Sequence, residues 1–243
     1  TSNSQKKYIH IETGYIYPEG KIKENISIRQ NLNYYSVVQY SDGYISSETS
    51  GLFFGARYEY YLPKIKSGIS SGLRFVGFDT EISGYISNNS DFFYLRYSFQ
   101  DSETKFARVK SLTENNYLLS VPLELRFIPL QYKKLSFYVK AGVEYSIANL
   151  KNKTDIKFQN EAMNVHKDEI LGKVSSPTSA NYSTFYSSVG CSLGQEGKTN
   201  YSIEIFLPST FLTRNNFSLI DTDYFAGFKI SLQFPVKNNK HQQ

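Results

Sequence analysis

The chain contains a single cysteine, Cys191, among 243 residues, so neither an intramolecular disulfide nor a cysteine metal cluster can form. It has no run of about 18 apolar residues, which excludes a membrane-spanning helix. Membrane-spanning strands stay open, because only every second residue of such a strand meets lipid. A glycine-rich phosphate cradle is missing, and so is any block of lysine and arginine. The net charge of +5 comes from lysines scattered among acids, for example Lys151, Asp155, Lys157, Asp168 and Lys173. Solvated loops account for such a pattern, and no nucleic-acid partner is expected. No internal repeat and no linker composition divides the chain. One domain over 1–234 is expected, followed by a polar tail over 235–243. The polar opening, Thr1 to Lys7, is what a secreted chain shows once its leader has been removed.

Aromatic residues are abundant, at 16% with 21 Tyr and 18 Phe, too many for a disordered chain. Together with Ile and Val they favour extended structure, since stiff and branched side chains fit a pleated surface. Eight segments read as strands: 8–17, 51–61, 67–78, 117–127, 135–147, 182–193, 199–207 and 223–234. Most match the 9–11 or so residues that a tilted strand needs to cross a bilayer, and exceed the 5–6 or so of globular strands. Their connections alternate. Those at 62–66, 128–134 and 194–198 are short, whereas 18–50, 79–116, 148–181 and 208–222 are long. Short turns at one end and long loops at the other describe an antiparallel up-and-down transmembrane β-barrel of the bacterial outer membrane. The strand-like stretch Phe92 to Phe99 reads as a hairpin extending the wall above the membrane, with ten strands as the alternative.

Alternation splits each segment into two faces. Tyr117, Leu119, Val121, Leu123, Leu125 and Phe127 oppose Leu118, Ser120, Pro122, Glu124 and Arg126; Leu135, Phe137, Val139, Ala141, Val143, Tyr145 and Ile147 oppose Ser136, Tyr138, Lys140, Gly142, Glu144 and Ser146. Parity alone leaves open which face points outward. A soluble lipocalin-like carrier would turn the apolar face in. Three features favour the membrane arrangement. The polar face carries Gly14, Gly55, Gly72, Gly142 and Gly227, which relieve crowding in a narrow lumen and would only weaken a solvated strand. Aromatics recur near segment ends on the apolar face, as at Tyr15, Tyr60, Tyr117, Phe127, Tyr145, Tyr201, Tyr224 and Phe234, suiting two interfacial girdles. Finally, the polar faces hold Arg57, Arg74, Arg126, Lys140 and Lys229 against Glu12, Glu59, Glu124, Glu144 and Glu204. Equal numbers of each sign suit a closed interior, where charge must be paired. A plugged lumen with a structural ion-pair network follows, with a proton or ion path as the alternative use of the same residues.

Tyr117 to Phe127 followed by Phe137 to Tyr145 resembles the PorT-like outer-membrane barrel family of Bacteroidetes, in which a strand of the form Y-L-x-x-P-x-x-x-K/R-F precedes one of the form Y-x-x-A-G-x. Phe225 to Phe234 also resembles the closing strand of such barrels, although nine residues, Pro235 to Gln243, continue beyond it. The resemblance implies a small porin-like barrel in the outer membrane and brings no catalytic residue.

Of three histidines, His10 falls on the polar face near Glu12 and reads as a lumen hydrogen-bonding residue, and His241 lies in the tail. His166, in Val165-His166-Lys167-Asp168-Glu169, is the one place where a loop-borne His/Asp hydrolase site could lie. Such clusters are common in solvated loops, and no metal-ligand spacing is present. No enzyme activity and no cofactor are expected. Cys191 reads as a small lipid-facing residue. The expected role is non-enzymatic: a structural or accessory component binding a larger outer-membrane partner or an external ligand through its wall or loops, such as Asn33 to Ser36. Outer-membrane lipid and lipopolysaccharide are the expected surroundings. A transport or ligand-binding barrel using the lumen is the alternative.

Overall fold

The computed structural model describes residues 6–23, 26, 28–29, 44–85, 92–97, 105–178, 181–195, 197–214 and 216–236. Eight long antiparallel strands form a ring: β1 (Lys6–Ile22), β3 (Tyr44–Leu62), β4 (Ser67–Tyr85), β6 (Lys105–Tyr132), β7 (Leu135–Phe158), β8 (Ser183–Leu193), β9 (Asn200–Phe211) and β10 (Ile220–Pro235). β10 pairs with β1 and closes the barrel. Two short strands, β2 (Ile28–Arg29) and β5 (Phe93–Tyr97), complete the numbering without crossing the barrel. β5 adds to the upper end of β6 through Phe93–Val109, and β2 adds to β5. The Phe92 to Phe99 segment therefore extends the wall, as far as its described residues reach.

Closure fixes the strand tilt. From Lys6, successive partners are Tyr61, Gly68, Arg126, Lys140, Ser188, Phe206, Gly227 and then Ile16, so one circuit returns ten residues along β1. That stagger over eight strands inclines them by about 40° to the axis and leaves an interior just wide enough for side chains to fill.

The faces are sorted as alternation requires. Leu52 and Leu125 are 65% and 61% exposed on the outside, while Arg57 and Glu124 point inward and are buried. A continuous outward band of Ile, Leu, Val, Phe and Tyr surrounds the middle of the barrel. This is the reverse of a lipocalin-like carrier, whose apolar rows converge on the axis. Water would not tolerate an apolar surface of this extent on a monomer, and hydrocarbon would.

Two strands run much further than their apolar stretches indicate. β6 starts twelve residues before 117 and β7 ends eleven after 147, so much of the expected loops 79–116 and 148–181 is strand. Above the band the polarity of the same strands reverses. Ala107, Val109, Leu112, Ile156 and Phe158 are buried inside, while Arg108, Lys110, Lys153 and Lys157 face out. This is a solvated sheet with an apolar inner face. A two-turn 3-10 segment (Glu161–His166) and helix α1 (Lys167–Val174) fold over it, burying Ile170 and Val174. Asn33 to Ser36, His241 and residues 237–243 of the tail lie outside the described residues.

Leu123 lies near the middle of the outward band on β6. Leu123→Arg should lower the stability of the folded barrel in vesicles by about 2–4 kcal/mol, read from denaturant titration, because a cation there must leave water for hydrocarbon.

Candidate functional site

The lumen is built in three layers, each placed by the inward residues of every strand. At the turn end, Tyr8, Tyr61, Ile128 and Tyr138 form a small buried cluster. Arg126 lies between two of these rings, 5.8 Å from Tyr61 and 5.6 Å from Tyr138. Beside it a cavity of about 40 Å³ is lined by Gln233, Asn200 and Ser192 among others.

The ten charged residues that the sequence put on the polar faces meet in the middle layer and, through Arg126 and Glu59, at its border with the turn end. Arg57 Nε donates to Glu12 at 2.7 Å, and its Nη1 pairs with Glu124. Arg74 donates to Glu12 at 2.6 Å and also pairs with Glu144. Lys140 reaches Glu204 at 2.6 Å, and Lys229 reaches Glu204 at 3.0 Å. Arg126 pairs with Glu59 at 2.8 Å, and His10 Nε2 lies 2.7 Å from the same carboxylate. Glu124 is the hub, touching Arg57, Arg74, Lys140 and Lys229 with no solvent exposure. Arg126 and Lys140 are direct cross-strand partners of like charge. They turn to opposite acids, Glu59 and Glu204, which removes the repulsion such a pair otherwise carries.

Gly142 explains how one neutral group joins the hub. A Cβ there would lie 2.8 Å from the Tyr186 ring, so only glycine lets that ring lie flat against β7. The Tyr186 hydroxyl then donates to Glu124 at 2.7 Å.

The upper layer is apolar and lies above the ion-pair network. Ile16, Phe53, Phe78, Leu118, Tyr182, Phe206, Phe211 and Phe225 fill it. Six of these, Ile16, Phe53, Phe78, Leu118, Phe206 and Phe225, are apolar residues standing on an otherwise polar face, and that exception is the signal the sequence carries for an apolar stopper. Arg74 marks the boundary, its guanidinium 4.6 Å from the Phe53 ring centre. The β9–β10 loop closes the top by inserting Phe217 and Leu219. Glu114 holds that loop, accepting from the Ser218 and Leu219 amides at 2.8 and 3.1 Å and from the Ser218 hydroxyl at 2.8 Å. A cavity of about 10 Å³ lies among Phe78, Tyr182, Tyr186 and Phe206 in this layer. Glu114 lies 104 residues from Ser218, and nothing local in the sequence announces the contact.

The other sequence candidates fall elsewhere. Lys167 donates to Asp155 at 2.5 Å, which holds that exposed carboxyl below its ordinary value, and Glu169 pairs with Lys173 at 3.3 Å. His166 ends the 3-10 segment beside them, on the outside of the molecule. Cys191 is half-buried on the outer wall, with Phe137 and Ile203 as its cross-strand partners. Among the described residues no group of three His, Cys, Asp or Glu could hold a metal ion.

No family model and no curated protein matches the chain. Among solved structures, the outer membrane protein OprG from Pseudomonas aeruginosa is similar over 94% of this chain and 96% of its own, at 10% identity and a TM-score of 0.46. The transport unit of the autotransporter AIDA-I from Escherichia coli is similar over 96% and 90%, at 8% identity and a TM-score of 0.27. Neither likeness is close enough to bear on activity, and the fold stands on the hydrogen-bonded ring itself.

Glu124→Ala should destabilise the barrel by about 3–5 kcal/mol, since it strands buried cations; an unchanged unfolding midpoint on unboiled gels would contradict this. Glu114→Ala should leave global stability nearly intact and speed amide exchange at Ser218 and Leu219 by roughly 10–100-fold, matching about 1–3 kcal/mol for unsatisfied donors.

Proposed function

We propose that the chain is an integral barrel of the bacterial outer membrane with a plugged, non-conducting lumen, acting as a structural or accessory component. The observation that carries the reading is the sorting of side chains: apolar rows outside, five cations and five carboxylates neutralising one another inside. An even-stranded antiparallel ring with short turns at one end is the architecture by which strands cross that membrane. The short strand motifs keep the resemblance to PorT-like barrels as part of this reading.

The lumen charges are structural in this account. Each carboxylate is engaged by cations, and the cavities above and below them hold about 10 and 40 Å³, room for one or a few waters. Such packing favours a stopper over a path for ions or substrate. In this reading the chain is a non-enzymatic component. Recognition then falls to the outer wall and the raised sheet of β5, β6 and β7, where a larger outer-membrane partner or an external ligand would bind. A rigid scaffold presenting such surfaces is the common arrangement for binding.

Planar-bilayer reconstitution tests the plug. The wild-type protein should give no steady current, and reproducible conductance steps would overturn the reading. Mild-detergent purification from native membranes tests the accessory role, with a stoichiometric membrane partner expected.

A further inference from the structure

The two rims of the barrel differ in charge. The loop end is mixed: Glu48, Asp79 and Glu81 face out on β3 and β4, near Lys151, Lys153 and Lys157 on β7. Among the described residues the exposed charges of the turn end are of one sign. Lys64 and Lys66 lie in the β3–β4 turn, Lys133 and Lys134 form the β6–β7 turn, and Lys198 lies in the β8–β9 turn, all exposed. β1 begins with Lys6 and Lys7 at the same end. The one carboxylate near this rim among the described residues, Glu59, is buried and engaged by Arg126 and His10. Glu196 of the third turn lies outside the described residues.

Two details show that the lysines are not incidental. Lys66 and Lys133 adopt left-handed backbone, with φ of 50° and 53°, where glycine or asparagine is the unstrained choice. Both turns also pair their lysines with exposed apolar side chains. Ile65 sits between Lys64 and Lys66 at 59% exposure, and Tyr132, at 69%, precedes Lys133. Backbone bonds from Ile128 of β6 to the Lys66 carbonyl and from Gly194 to the Lys134 carbonyl tie each of these turns to the neighbouring hairpin. An apolar anchor flanked by ammonium groups is what a membrane interface selects: the anchor enters the acyl boundary while the charges stay at the phosphates.

We propose that the turn-end rim is a collar for anionic phospholipid headgroups of the adjacent leaflet. The proposal rests on the bilayer reading above. A soluble acidic partner would match the charge, but it gives no role to Ile65 and Tyr132.

Reconstitution into phosphatidylcholine bilayers containing trace spin-labelled phosphatidylglycerol or spin-labelled phosphatidylcholine tests it, because lipid held at the protein surface gives a motionally restricted spectrum. The wild type should hold phosphatidylglycerol at least about threefold more strongly, with the preference falling as salt rises. The K64Q/K66Q/K133Q/K134Q variant should lose the preference, and K151Q/K153Q/K157Q should keep it. Equal restriction of both lipids would overturn the collar and leave the barrel reading standing. No restricted lipid at all would overturn the bilayer reading itself. Loss of the preference in millimolar inorganic phosphate at constant ionic strength would reassign the rim to a free anion. Retention of the preference by the quadruple variant, with loss of its binding to soluble polyglutamate, would reassign it to an acidic macromolecule. Either result ends the proposal.

Discussion

The Glu124 carboxylate has no water to turn to, and the rest of the lumen is arranged around that fact. A ring of eight strands leaves a centre too narrow for a hydrated channel once side chains of this size occupy it. A carboxylate there is tolerable only beside cations, and four approach it from β3, β4, β7 and β10. Those cations need further acids, and Glu12, Glu144 and Glu204 provide them. The network spans non-adjacent strands and so ties the ring across its diameter as well as around its circumference. Glycine completes it, because Gly142 admits the Tyr186 ring whose hydroxyl fills the hub's remaining acceptor.

The same strands show where the surrounding medium changes. On β6, inward Ser120, Glu124 and Arg126 and outward Leu123 and Leu125 give way, higher up, to inward Val109 and Leu112 and outward Arg108 and Lys110. Alternation continues through a bulge while polarity changes sides. Hydrocarbon outside calls for apolar residues outside; water outside calls for the reverse. The medium, not the backbone, decides which face is which.

This explains how far the sequence could be read. Alternation is local, so the eight crossing segments were legible one by one, and the ten inward charges were legible from β1, β3, β4, β6, β7, β9 and β10. Their boundaries were less so, because a search for outward apolar rows stops at 117 and 147, where the rows change faces and the strands do not end. The apolar stopper was half visible: Ile16, Phe53, Phe78, Leu118, Phe206 and Phe225 stood on the polar face without an explanation, and only the ring brings them together with Phe217 and Leu219. Glu114 on Ser218 was invisible, since a single acid in a polar stretch says nothing of a loop a hundred residues away. Membership of a particular family was likewise beyond reach, because strand motifs built from Tyr, Leu, Gly and Ala are shared by many barrels.

The central claim is the orientation of the two faces, and the absence of tryptophan from the chain makes it directly measurable. A single tryptophan placed at outward Leu123 or at inward Phe206 is then the only indole in the protein. In vesicles of brominated phosphatidylcholine, Leu123→Trp should be strongly quenched and Phe206→Trp nearly untouched. Strong quenching at 206 with little at 123 would contradict the account.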